Sequence, residues 1–143
     1  MRSYAFAAAY WALSIFYVFA ATFLALLPGR KPITWAIRLY SLRMVQALRY
    51  VAGIRIDLRG KERLPPGAFI IAAKHHSWGD GFVMFANVDN LSFVTGDHLE
   101  RFPLLGGILR KLGAIVVDNC GGPEARKALS ESAAAAHAHA PRP

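Results

Sequence analysis

Residues Tyr4 to Leu27 form an uncharged run whose only clearly polar side chains are Ser14 and Thr22. As a helix it rises roughly 36 Å at about 1.5 Å per residue. A hydrocarbon core of about 30 Å is crossed by that length with some tilt. Tyr10, Trp11 and Tyr17 lie within the run, and Pro28-Gly29 ends it. A secretory signal has a shorter apolar core, a more basic start and a small-residue cleavage site. Here only Arg2 precedes the run, and the basic residues come afterwards. Residues 1–29 therefore read as an uncleaved membrane anchor with its C-terminal side in the cytoplasm.

The charge pattern agrees. Of the net +8, nine basic residues (Arg30, Lys31, Arg38, Arg43, Arg49, Arg55, Arg59, Lys61 and Arg63) follow the run, opposed only by Asp57 and Glu62. From Leu64 onward acids and bases balance. Positive charge just after an apolar run suits a positive-inside anchor or a segment touching anionic lipid. Nucleic acid is not expected as a partner, because the C-terminal part has neither a basic run nor a nucleic-acid motif. At 55% hydrophobic and 18% charged residues, the chain is too apolar to be disordered. Cys120 is the single cysteine, which excludes an intramolecular disulfide and a cysteine-based metal site; no metal is expected.

Residues 30–53 read as a basic amphipathic helix. Ile33, Ile37, Tyr40, Met44, Ala47, Leu48 and Val51 recur at helical spacing, with Thr34, Arg38, Ser41 and Arg49 opposite. Such a helix either packs on its own domain or lies in the headgroup layer with its arginines toward phosphate. Beyond it, Ile54 to Leu58 alternates apolar and polar like a half-buried strand, and Ala68 to Ala73 is a short apolar run like a buried one. Leu91 to Thr95 and Ala114 to Val117 are further strand candidates. Gly81 to Ala86, Leu104 to Leu112 and Pro123 to Ala136 read as helices, the last with Pro at its first turn and alanines within. Strands alternating with helices predict an α/β layer architecture with a largely parallel sheet.

One constellation carries chemistry: Lys74-His75-His76-Ser77-Trp78-Gly79-Asp80, directly after the apolar run 68–73. Active sites of α/β proteins lie at the ends of buried strands. Neither helix nor strand puts residues five apart on one face, but a turn folds Asp80 back to His75. A carboxylate on one imidazole nitrogen fixes the tautomer and stabilises the imidazolium formed when the other nitrogen takes a proton. The nucleophile is then the substrate's own hydroxyl. The plainer reading is that Asp80 caps the following helix and His75 is an ordinary loop histidine.

The stretch Ile70-Ile71-Ala72-Ala73-Lys74-His75-His76-Ser77-Trp78-Gly79-Asp80-Gly81-Phe82-Val83 resembles the His-x4-Asp block of the glycerolipid acyltransferases, which convert 1-acylglycerol-3-phosphate to phosphatidate. Arg59-Gly60 to Pro66 resembles that family's lead-in. Phe93-Val94, Leu99, Pro103, Gly106, Leu112-Gly113-Ala114 and Val117-Asp118 resemble its second block in order and spacing. The resemblance implies that residues 54–136 are the N-terminal part of a glycerol-3-phosphate acyltransferase-like α/β domain, with 137–143 a disordered tail. It implies His75 as general base on the 2-hydroxyl of lysophosphatidate and Asp80 as its orienting carboxylate. The donor is a fatty-acyl thioester of coenzyme A or acyl carrier protein, with no bound cofactor. Lys74, Arg101, Arg110 and Lys111 are candidates for the acceptor's phosphate, and Ser77 is carried with them as substrate-binding. The implied location is the inner membrane, the catalytic part on the cytoplasmic side against membrane lipid.

Three departures stand beside the resemblance. Gly96, Asp97 and His98 occupy positions where the family usually has lysines and a glutamate. Asn119 stands where an arginine is frequent. The family's third block, a Pro-Glu-Gly-Thr-Arg type segment, is absent, and Pro123-Glu124-Ala125-Arg126 is not its equivalent. The expectation is an N-terminal fragment, weakly active or inactive alone. Other readings are an acyltransferase-like protein with another lipid acceptor, and a non-catalytic membrane interaction protein.

Overall fold

The uncharged run folds into one continuous helix, α1 (Arg2–Ala25). This computed structural model describes residues 2–67, 69–77, 79–89, 91–102, 104–117, 122–123, 126–127, 129–131 and 134. After the turn at 26–30 comes α2 (Lys31–Ala47), with Pro32 in its first turn, where the missing N–H costs nothing. A π-helical turn (Leu48–Ala52) extends it. Gly53, at φ +78°, then stops the helix, and the N–H groups of Gly53 and Ile54 both return to the Leu48 carbonyl. That left-handed position suits a residue without Cβ.

The described chain falls into two compact units: Met1–Asp57 with His75–Leu91, and Leu58–Lys74 with Ser92–Pro143. In the first, α1 and α2 run antiparallel. Ser14 Oγ and Tyr40 Oη share a hydrogen bond of 2.8 Å, the Tyr17 ring meets the Tyr40 ring, and Arg2 lies against Gly53 at the other end. α3 (Gly79–Asn87) packs on α2, with Phe82 edge-on to Tyr40 and Asp89 paired with Arg38. Ile33, Ala36, Met44 and Ala47 form the buried stripe of α2, with Ala21 from α1 and Ala86 from α3. The expected amphipathic helix is thus present. Its polar face is corrected at Ser41, which is buried because α2 is covered on more than one side. The Ser41 hydroxyl has no hydrogen-bond partner among the described residues.

In α1 only Ala21 is buried. Trp11, Phe16, Phe19 and Phe23 stand out of the helix, each more than half exposed. By length and composition α1 is able to cross a membrane.

The second unit holds a parallel two-stranded sheet. β1 (Val94–Gly96) pairs with β2 (Ile115–Val117), placing Val94 opposite Ile115 and Gly96 opposite Val117. Two helices connect them, α4 (Asp97–Glu100) and α5 (Leu105–Leu112). α5 buries Gly106, Ile108, Leu109 and Leu112 along one stripe. It ends at Gly113, φ +70°, where the Gly113 and Ala114 N–H groups both reach the Leu109 carbonyl. A single 3-10 turn (Lys61–Arg63) follows Gly60.

The architecture is helix-rich with a small parallel sheet. Two expected strands are corrected. Ile54 to Leu58 and residues 69–73 join no ladder among the described residues. Ile70, expected in a buried strand, is 92% exposed. A strand needs a neighbour to accept and donate its backbone hydrogen bonds, and among the described residues neither segment is part of a sheet. Pro123, Arg126, Lys127, Leu129–Glu131 and Ala134 are helical, as expected of the 123–136 segment. Ala68, the rest of that segment and the 137–143 tail lie outside the described residues.

Candidate active site

The site grows out of the start of α3. A helix leaves its first N–H groups without partners. Here Ser77 Oγ accepts from Gly79 N–H at 3.1 Å, while Asp80, in the first turn, turns its carboxylate back over the loop. Asp80 Oδ2 accepts from Ser77 N–H at 2.9 Å and from His76 N–H at 2.7 Å. The Asp80 carboxylate thus reaches back to the N–H groups just ahead of α3, while the Ser77 hydroxyl takes the Gly79 N–H. Asp80 therefore sits within the first turn of α3.

The same Oδ2 lies 3.1 Å from His75 Nδ1. The Ser77 N–H holds the Asp80 carboxyl below its ordinary range, followed by the His76 N–H and by His75 itself; partial desolvation works against them. An ionised carboxylate only accepts hydrogen bonds, so Nδ1 must be the protonated nitrogen of a neutral His75. Nε2 then keeps its lone pair. The His75 side chain is 77% exposed, against 33% for Asp80. Such an arrangement can accept a proton at Nε2, with the Asp80 carboxylate stabilising the imidazolium formed.

The structure brings His75, Ser77 and Asp80 together in the first unit. Lys74, Arg101, Arg110 and Lys111 belong to the second. Lys74 is exposed. Arg101 pairs with Asp97 one turn away at 2.5 Å, so a carboxylate already holds its guanidinium. Arg110 and Lys111 lie in the last turn of α5, where positive charge suits the helix dipole. Asn119 and Trp78 lie outside the described residues. Sequence reasoning missed the two backbone N–H groups that hold Asp80, because main-chain donors leave no mark on residue type.

Among the described residues no group of three or more His, Cys, Asp or Glu side chains is placed to hold a metal ion. A depression of about 90 Å³, lined by Thr34, Arg38, Phe85, Val88, Asp89 and Leu91, lies at the other end of α3 from His75.

The chain belongs to the acyltransferase family: the sequence model described as Acyltransferase matches residues 55–140. Among curated proteins it is similar to the 1-acyl-sn-glycerol-3-phosphate acyltransferase of Pseudomonas aeruginosa, 30% identical over 93 residues. The match covers 65% of this chain and 36% of that relative, so the chain spans about a third of the relative's length. No solved structure matches.

Proposed function

We propose that this chain carries the His-Asp site of a membrane-associated acyltransferase acting on 1-acylglycerol-3-phosphate. His75 Nε2 takes the proton of the acceptor's 2-hydroxyl as its oxygen attacks the carbonyl carbon of a fatty-acyl thioester. The carbon–sulfur bond then breaks, the thiolate leaves on coenzyme A or acyl carrier protein, and His75 returns the proton to it. The products are phosphatidate and a free thiol. Asp80 keeps Nδ1–H directed and offsets the imidazolium charge. The carrying observation is the 3.1 Å approach of His75 Nδ1 to Asp80 Oδ2, in a chain of this family whose relative bears that activity in its name. The exposed aromatic residues of α1 and the basic residues that follow support a place at the lipid surface, with the site on the cytoplasmic side of the inner membrane.

The test is turnover of lysophosphatidate with oleoyl-coenzyme A by the full chain and by His75→Ala. The expected loss is about 10²-fold or more. A rate within about threefold of the parent refutes the general-base assignment.

A second reading has a specific observation behind it. Arg101 is tied to Asp97, and Gly96 and His98 flank that acid where the family resemblance calls for cations. That favours another lipid acceptor, such as a lipid A precursor or an ornithine lipid. Product analysis with radiolabelled acyl donor and each acceptor separates the two.

A further inference from the structure

We propose that Ser77 is a positioning residue for the His75–Asp80 pair rather than a contact to the acceptor lipid. The inference rests on the acyltransferase reading above.

The exposed Ser77 hydroxyl makes one donor and one acceptor contact, both within the loop and the start of α3. Its oxygen accepts from Gly79 N–H at 3.1 Å, and it approaches Asp80 Oδ1 at 3.4 Å, with the hydroxyl hydrogen as donor. Its backbone N–H goes to Asp80 Oδ2 at 2.9 Å. One residue thus touches both oxygens of the carboxylate. With Oδ1 drawn to the Ser77 side chain and Oδ2 held by two backbone N–H groups, the carboxylate plane is fixed and Oδ2 faces Nδ1 of His75.

Gly79 belongs to the same device. A Cβ placed on it would lie 3.2 Å from Ser77 Oγ. A glycine there lets the hydroxyl approach the helix end without being pushed off Asp80. The backbone of Gly79 and Asp80 is itself the first turn of α3, and α3 is anchored on α2 by Phe82 and Tyr40. The Ser77 hydroxyl adds to the two backbone N–H groups a contact that ties the second carboxylate oxygen to the helix start.

A substrate contact and a positioning residue respond differently. Losing a phosphate contact raises KM for the lipid and leaves kcat. Loosening Asp80 leaves KM and lowers kcat, by about tenfold for a hydrogen bond to a charged group. The carboxylate also sets the His75 tautomer, which is readable without turnover. The experiment is ¹⁵N NMR of histidine-labelled full chain in detergent micelles, with His75→Ala assigning the signal. Ser77→Ala and Ser77→Val are expected to move the His75 ring from the Nδ1–H form toward the Nε2–H form. Ser77→Thr, isosteric with the valine variant but keeping a hydroxyl, is expected to retain the parent spectrum. Where turnover is measured, Ser77→Val is expected to lose kcat at unchanged KM and Ser77→Thr to stay within about threefold. A parent-like tautomer in Ser77→Val overturns the proposal, as does a KM-only effect. Failure of the underlying reading looks different: His75→Ala then keeps its rate, whatever the Ser77 variants do.

Discussion

At Asp80, Oδ2 receives hydrogen bonds from the Ser77 N–H, the His76 N–H and His75 Nδ1. These favour the ionised form and lower its pKa in the folded state relative to the unfolded chain. The stabilisation is therefore complete above the ordinary aspartate range, near about pH 4, and is lost as pH falls through the lower folded value. Thermal melts of the parent and of Asp80→Asn are expected to differ at neutral pH and to converge in acid below that range. A gap that stays constant down to acid pH contradicts this account. At this scale the site was partly legible. The His75–Asp80 spacing suggested a fold-back, but the sequence does not display backbone N–H groups, and two of the donors on Asp80 belong to the main chain.

Among the elements, the end of α2 gives a sharp test. Gly53 has φ +78°, and a Cβ there would sit 3.1 Å from Arg2 Nη1. Gly29 has a similar φ of +85° with nothing within 4 Å. Gly29→Ala is expected to cost the conformational penalty alone, about 1 kcal/mol. Gly53→Ala is expected to cost about the same, because the neighbour that must give way is only the guanidinium end of the flexible Arg2 side chain. A clearly larger fall in melting temperature for Gly53→Ala would show that the Arg2 guanidinium is fixed in the α1–α2 packing. The helices were legible because periodicity and caps are local: α1, α2 and α5 lie where pattern, Pro32 and Gly113 put them. The strands were legible only in part. Ile115–Val117 found Val94–Gly96 as a neighbour, whereas Ile54–Leu58 and residues 69–73 have the right composition but join no ladder among the described residues. Apolar alternation states which residues prefer burial, and the partner lies elsewhere in the chain. Ser41 was misplaced for a related reason: a helical wheel marks one inner face, and α2 is packed by both α1 and α3.

For the molecule as a whole, the sequence alone reads α1 as a spanning anchor, whereas its antiparallel pairing with α2 argues for an α1 lying along a lipid surface. An α1 standing upright in a bilayer would carry α2 alongside it, with Arg38, Arg43 and the Arg38–Asp89 pair at hydrocarbon depth, where charge is expensive. Lying flat, α1 sinks Trp11, Phe16 and Phe23 while the arginines of α2 reach headgroups. The expected result is that cysteines at Ser3 and at Gly29, in a Cys120→Ser background, both react with an impermeant maleimide from one side of sealed vesicles. Labelling from opposite sides would establish a spanning α1.

The contact that seats α3 against α2 has a consequence for encounter. Phe82 of α3 stands edge-on to Tyr40 of α2, so on the proposed reading the His75 loop rides on the same rod that the lipid surface would hold. An acceptor drifting sideways within a single leaflet would then meet the imidazole at a constant height, and capture would become a planar search with no need to lift the lipid into bulk water.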